Sequence, residues 1–266
     1  IGQSSRLRKP RSPCAPAYPP VSGGTAAPFR RSFGMWMVIL VIIVISAALI
    51  VGAAWGLYGK FPSKVEGFLV AMAGGALIVS VMAELLEPAA EASSIPIVIL
   101  SFLSGAVIFT LVDMYIDRHV GEDSGGGLLM AVVLDGVPEN LALGVALIGS
   151  GPLGVLALTG SILLSNLPEA AGGARQMREN GFSKLKAMGI WTATAAILSG
   201  AAIAGYLLLP SDAEMALAVI KSFAAGAVIA SLATEVFPTA YEKDNDATGI
   251  AVAVGVALAF LLHEIG

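Results

Sequence analysis

Two polar motifs, each containing a Pro-Glu pair, interrupt long apolar stretches of the sequence. They are Asp135-Gly-Val-Pro-Glu-Asn140 and Ser165-Asn-Leu-Pro-Glu169, and the second follows at an offset of 30 residues. In a helix, Asp135 and Glu139 are four positions apart and share a face. Asn166 and Glu169 are three positions apart and do the same. The spacing therefore predicts two helices that each present carboxylate and amide oxygens on one side.

A proline lies inside each motif. Pro138 and Pro168 lack a backbone N–H and clash with the carbonyl four residues earlier, so they kink a helix and free carbonyl oxygens. At membrane depth such irregular backbone is tolerated only where it faces protein or water. We therefore expect both motifs to face the interior of a helix bundle.

Three carboxylates lie within apolar segments, and their negative charge must be neutralised there. A carboxylate near the bilayer centre costs about 2.5 to 3.5 kcal/mol, so Asp135, Glu139 and Glu169 together cost on the order of 8 to 10 kcal/mol if ionised and unpaired. No Lys or Arg lies at a comparable depth in these segments, so protons or a bound cation must neutralise them. Oxygen donors on two kinked helices form the ligand set of a divalent metal. The alternative is that the carboxyls are protonated and bond to neighbouring groups.

The elements that carry these motifs follow from the composition. Of 266 residues, 56% are apolar and 13% are charged, against about 25% charged in a soluble domain. Apolar segments of about 20 residues predict membrane-spanning helices, so we expect an all-α polytopic membrane protein with eight transmembrane helices. The predicted spans are approximately Met35–Leu57, Val65–Leu86, Ile95–Tyr115, Gly127–Ile148, Leu153–Gly173, Leu185–Leu209, Ala216–Phe237 and Thr248–Leu262.

Other features of the composition exclude several classes of protein. Cys14 is the only cysteine, so the chain builds neither a disulfide framework nor a thiolate cluster. The net charge of −4 and the pI near 5.2 give no basic stripe for nucleic acid. An intramembrane hydrolase needs a nucleophile with a base, but only His119 and His263 occur, both near predicted membrane surfaces. We expect neither an enzyme nor a nucleic-acid partner.

Residues 1–34 differ in kind from the rest, because prolines are scattered there among Ser, Gly and Arg. This composition is typical of disorder, while Met35 stands where the first apolar run begins. We predict a disordered or mistranslated tail over residues 1–34 and an eight-helix transmembrane domain over residues 35–266.

The cations indicate how the domain lies in the membrane. Most of them outside the tail fall in the connections after spans one, three, five and seven, namely Lys60, Lys64, Arg118, Arg175, Arg178, Lys184, Lys186 and Lys243. The positive-inside rule places these connections in the cytoplasm and both ends of the helix bundle outside.

A repeat indicates the architecture. Residues 73–84 in span two and 224–235 in span seven are identical at six of twelve positions, at a constant offset of 151. The two spans cross the membrane in opposite directions, so the match predicts an inverted repeat in a 3+2+3 arrangement. The repeat ends on Glu84 and Glu235, which we assign to an entrance pathway. Asp113 and Asp117 lie four positions apart near the inner end of span three, where we expect interfacial solvation, with an exit relay as the alternative.

Eight spans, outside ends and the paired Pro-Glu motifs resemble the ZIP (Zrt/Irt-like) family of divalent metal transporters, from about Met35 to the end of the chain. In that family span four carries His-Asn-x-Pro-Glu-Gly, and span five carries a polar-polar-x-Pro-Glu motif. Asp135 stands at the His and Glu139 at the Glu of the first motif. Ser165 and Asn166 stand at the polar positions of the second, and Glu169 stands at its Glu.

The resemblance implies that these five residues hold a metal that is transported into the cytoplasm across the plasma membrane. It implies zinc, manganese or iron as the substrate, no organic cofactor, a homodimer surrounded by lipid, and a bundle that moves against a scaffold. The family's span-seven His-Glu-x-x-Pro is matched here by Thr234, Glu235 and Pro238.

The chain departs from the family at its histidines, which are absent from both motifs, and at a span-six Glu, near which Ser199 stands. An oxygen-only site favours hard cations such as Mn²⁺ or Mg²⁺ over Zn²⁺. Two further interpretations therefore stay open. One is a ZIP-like protein that has lost transport and serves as a metal sensor or structural membrane partner, and the other is a proton-linked carrier of another solute.

Overall fold

Eight helices make up nearly all of the chain that the computed structural model describes, which is residues 28–60, 62–119, 125–148, 155–207 and 214–265. The helices are α1 (Pro28–Tyr58), α2 (Ser63–Ala92), α3 (Ile95–His119), α4 (Gly125–Ala146), α5 (Leu156–Glu179), α6 (Lys184–Leu207), α7 (Glu214–Lys243) and α8 (Thr248–Ile265). Each overlaps one predicted apolar segment, and the described residues contain no β-strand. The all-α prediction is confirmed for this part of the chain, whereas residues 1–27 of the predicted tail lie outside it.

Helices α1, α2, α3, α6 and α7 are each long and apolar enough to cross a membrane. Large apolar side chains cover their outer surfaces, as on α3, where Leu100 is 71% and Leu111 57% exposed. Water-soluble monomers seldom expose apolar surface on this scale. The pattern is that of a helical membrane protein. Helix α8 is apolar but shorter, at 18 residues, and α5 ends in a charged segment.

Helices α2 and α7 each contain one π-helical segment, at Met82–Leu86 and Leu232–Val236. In both, the backbone N–H of the residue after the segment donates to a carbonyl five residues earlier, from Glu87 to Met82 and from Phe237 to Leu232. Each segment begins six residues before a proline, Pro88 or Pro238. A proline clashes with the carbonyl four residues earlier, and a widened π turn before it relieves that crowding.

The eight helices form two bundles. In the first bundle α1 packs on α5 and α6, and α4 packs on α6. In the second bundle α2 packs on α8, α3 packs on α7, and α2 meets α7. The bundles are joined chiefly where α2 meets α5 and where α4 meets α7. Since the Pro-Glu motifs lie on α4 and α5, they belong to the first bundle and lie on helices that face the second.

Glycines let two helix pairs of the second bundle approach closely in the same way. A Cβ on Gly255 would overlap the Met72 carbonyl on α2, and one on Gly105 would overlap the Phe223 carbonyl on α7. In the same two pairs, Gly75 of α2 lies against the backbone of α8, and Gly226 of α7 lies against the backbone of α3. Small residues of this kind let helix backbones pack directly in a membrane, so the α2–α8 and α3–α7 contacts share one geometry.

Candidate metal site

Several polar side chains of the two motifs are buried on α4 and α5. Glu139 is 3% exposed on α4, while Ser165 and Asn166 are 1% and 2% exposed on α5. Glu169 is half-buried, and its carboxyl lies close enough to that of Glu139 for the two to interact electrostatically. The structure therefore brings together two of the five predicted ligand residues, Glu139 and Glu169, and buries Ser165 and Asn166 on the same helix as Glu169. The side chain of the fifth, Asp135, lies outside the described residues.

Both prolines lie within continuous helices, Pro138 in α4 and Pro168 in α5. Their positions one residue before Glu139 and Glu169 mean that each carboxylate follows a break in the backbone hydrogen-bond ladder. Both motifs therefore lie within helices, as their spacing predicts.

The polar side chains at this site differ in whether they have hydrogen-bond partners. The Ser165 hydroxyl donates to the Ile162 carbonyl at 3.1 Å, and the Asn140 amide donates to the Gly136 carbonyl at 2.8 Å. Asn166 has a buried amide nitrogen with no hydrogen-bond partner among the described residues. A buried amide donor without a partner costs free energy.

Among the residues that the structure describes, no group of three or more His, Cys, Asp or Glu side chains converges as a metal cage. The carboxylates described at the site are the pair Glu139 and Glu169. A complete cage from this chain would draw on the Ser165 hydroxyl, the Asn166 carbonyl oxygen and Asp135.

Ser199 of α6, which stands near the position of the family's span-six Glu, is engaged elsewhere. Its hydroxyl lies 2.6 Å from that of Ser46 on α1 and 2.6 Å from the Ala195 carbonyl. These bonds tie α1 to α6 inside the first bundle.

Glu84, predicted to line an entrance, caps a helix. Its Oε1 accepts a hydrogen bond at 2.9 Å from the backbone N–H of Leu158, the third residue of α5. The first amides of a helix have no partner within it and carry partial positive charge, so a carboxylate there stabilises the helix. Lys221 of α7 also lies close enough to Glu84 to interact electrostatically.

The other predicted pathway residues lie outside the first bundle. Glu235 is half-buried within the π segment of α7, and Asp113 is buried on α3. The side chain of Asp117 lies outside the described residues. Nothing in their placement tests the pathway assignments, which stay predictions.

An ion cluster that the sequence did not single out lies one turn from Glu169. Glu66 of α2 is fully buried, with its Oε2 3.3 Å from the Arg175 guanidinium of α5. Its Oε1 accepts a hydrogen bond from the Lys243 ammonium of α7. Lys243 also interacts electrostatically with Glu169. The cluster connects one helix of the first bundle to two of the second.

A glycine makes room for this cluster. A Cβ on Gly172 would overlap the Glu66 carboxylate, so Glu66 lies directly against the α5 backbone. Gly172 follows Glu169 by three residues, a rise of about 4.5 Å along the helix. Local spacing gave no signal for the cluster, since Glu66 and Lys243 are 177 residues apart.

A second polar feature lies at the end of α1. A cavity of about 570 Å³ is lined by Gly56, Gly59, Lys60, Pro62, Arg175, Arg178 and Glu179. Its lining carries three cations and one carboxylate, so it is electropositive.

A scan against protein-family models found no match to this chain, and a search of curated proteins found none either. Its likeness to the ZIP family therefore rests on the motifs and their spacing.

Proposed function

We propose that this protein transports divalent metal cations across the plasma membrane into the cytoplasm. The observation that carries the proposal is the pair Glu139 and Glu169, which lie together on two proline-containing helices inside a bundle. Two neighbouring carboxylates repel each other, and an intramembrane site of this kind is neutralised by protons or by a cation.

The helix pairing supports an inverted repeat of three, two and three helices within eight transmembrane spans. Exchanging α1 with α6, α2 with α7, α3 with α8 and α4 with α5 turns each main contact into another. The α1–α5 contact becomes α6–α4, and α2–α8 becomes α7–α3. The two π segments, 150 residues apart in α2 and α7, obey the same exchange. Such repeats place a substrate site where the halves meet, near the bilayer midplane.

The ion cluster supports a closed path on the cytoplasmic side of the site. The positive-inside rule puts Arg175 and Lys243 at that end, and Glu66 joins them across the boundary between the bundles. We infer that a metal leaves toward the cytoplasm after this cluster separates, when the first bundle shifts against the second. On this interpretation Lys243 serves as counter-charge for Glu169 in the metal-free protein.

The donor set favours manganese within the zinc, manganese and iron class. Every candidate ligand on α4 and α5 is an oxygen donor, from carboxylate, amide or hydroxyl. Such donors suit harder cations, whereas imidazole and thiolate favour zinc. The likeness to ZIP transporters supports the same reaction class and a homodimer, and we propose no enzymatic activity or organic cofactor.

The test is metal uptake into proteoliposomes with Mn²⁺, Zn²⁺, Fe²⁺, Cd²⁺ and Mg²⁺ in parallel. We expect saturable uptake with Mn²⁺ preferred, and its loss in Glu139→Ala and Glu139→Gln. Glu91→Ala, at an exposed position of α2, is the matched control and should transport normally. Metal binding without flux would instead support the sensor or structural alternative. Folded protein that neither binds nor moves any of these metals would contradict the proposal.

A further inference from the structure

The electropositive cavity at the end of α1 is built from two helix ends of the first bundle. Lys60 follows the end of α1, and Arg175 and Arg178 lie in the last turns of α5. With Glu179 as the one carboxylate, the formal charge of the lining is 3 − 1 = +2. A cavity of about 570 Å³ falls within the range of ligand sites, about 300 to 1,000 Å³.

Two of the three cations have no acidic partner among the residues that the structure describes. Arg175 is paired with Glu66 at 3.3 Å and with Glu179 at 3.8 Å. Arg178 donates one N–H to the Leu57 carbonyl at 3.0 Å, and neither it nor Lys60 forms an ion pair with a described residue. The Arg178 guanidinium therefore retains N–H groups for an external acceptor, in a fork that matches the oxygens of a phosphate.

Aromatic side chains place this cavity at the level of the lipid headgroups. Trp55 and Tyr58, in the last turn of α1, are 42% and 65% exposed. Lys184 lies 4.2 Å from the centre of the Tyr58 ring. Exposed Trp and Tyr at the end of a spanning helix mark the membrane interface, and basic pockets between helices on the cytoplasmic side bind anionic headgroups.

We propose that the cavity lined by Lys60, Arg175 and Arg178 binds a phosphate group, presented by an anionic phospholipid of the cytoplasmic leaflet or by a soluble phosphate. Arg178 and Lys60 contact the phosphate oxygens, and Arg175 remains with Glu66. The site is separate from the metal ligands and does not depend on transport. A bound headgroup there would hold the ends of α1 and α5 together.

The test uses the full-length protein in nanodiscs of phosphatidylcholine with or without phosphatidylglycerol. We expect phosphatidylglycerol to remain bound in native mass spectrometry and to raise the unfolding midpoint by a few degrees. A basic residue near a membrane surface contributes about fivefold to lipid binding, so Lys60→Gln with Arg178→Gln should weaken it by about 25-fold. Lys60→Gln alone, expected to give about fivefold, serves if the double variant fails to fold.

Lys186→Gln is the matched control, because Lys186 lies over the Phe182 ring at 4.4 Å and outside the cavity lining. Inorganic phosphate added to phosphatidylcholine nanodiscs distinguishes the sources. A midpoint rise with phosphate as well supports a soluble ligand, and a rise with phosphatidylglycerol alone supports the lipid. No rise with either, or an equal loss of lipid binding in Lys186→Gln, would overturn the proposal.

Discussion

At the scale of single residues, the proposed metal site centres on Glu139 and Glu169. Both follow a proline, and their carboxyls interact across two helices in the bundle interior. Glu84 and Glu66 are also buried acids, but each already has partners in the folded chain. Burial alone therefore does not identify a ligand, and the useful distinction is whether the protein itself supplies the counter-charge or the hydrogen-bond donor.

Asp135→His tests the choice of metal. An imidazole at this position adds a nitrogen ligand, and a nitrogen ligand suits zinc better than it suits manganese. We expect the ratio of Zn²⁺ to Mn²⁺ uptake in proteoliposomes to rise. Asp246→His, in the exposed connection between α7 and α8, adds the same side chain away from the site and should leave the ratio unchanged. An unchanged ratio in Asp135→His would remove this residue from the ligand set.

Gly172→Ala tests the packing of Glu66 on α5. The added methyl would overlap the Glu66 carboxylate, and overpacking of this kind costs about 1 to 3 kcal/mol. We expect a lower free energy of unfolding in detergent. Gly189→Ala on α6 meets no atom within 4 Å and should be neutral or stabilising, because Ala favours a helix over Gly. Equal stability of the two variants would mean that Glu66 does not lie against Gly172.

At the scale of helices, α5 is the element with the most constraints. Glu84 caps its first turn, the motif with Pro168 lies in its middle, and Glu66 holds Arg175 near its end. The two side chains that hold α5 from outside, Glu84 and Glu66, both belong to α2 of the second bundle. These contacts tie the first bundle to the second, and the proposed transport mechanism requires them to break when the first bundle moves.

Glu84→Ala tests the cap on α5. Loss of an N-terminal capping acceptor costs about 0.5 to 2 kcal/mol, so the unfolding free energy should fall by that amount. Glu87→Ala, exposed on the same helix, is the control and should change stability little. Glu84→Gln keeps an acceptor oxygen and should recover most of the loss. If all three variants match the original protein, Glu84 has no capping role.

At the scale of the whole molecule, the described helices form two bundles, and the polar motifs lie on α4 and α5 of the first. The glycine contacts of α2 with α8 and of α3 with α7 share one geometry. Because membrane helices gain little from apolar burial against each other, close backbone packing of this kind determines which helices pair.

Membrane orientation is tested by cysteine labelling, which the single native Cys14 makes simple. In a Cys14→Ser background, Ser94→Cys lies between α2 and α3 and Asn180→Cys between α5 and α6, both exposed. An impermeant maleimide added to intact cells should label Ser94→Cys and leave Asn180→Cys unlabelled until the cells are opened. The reverse pattern would invert the proposed topology.

The amino-acid sequence by itself determined the helices, because apolar runs, prolines and motif spacing are local properties that helix geometry converts directly into faces and kinks. It placed Glu139 and Glu169 on two helices and predicted their burial. Only the tertiary structure decided which helices pair, that Glu84 caps α5, and that Glu66 joins Arg175 and Lys243. Those contacts join residues far apart in the chain, and their geometry depends on how helix backbones pack, which no local pattern encodes.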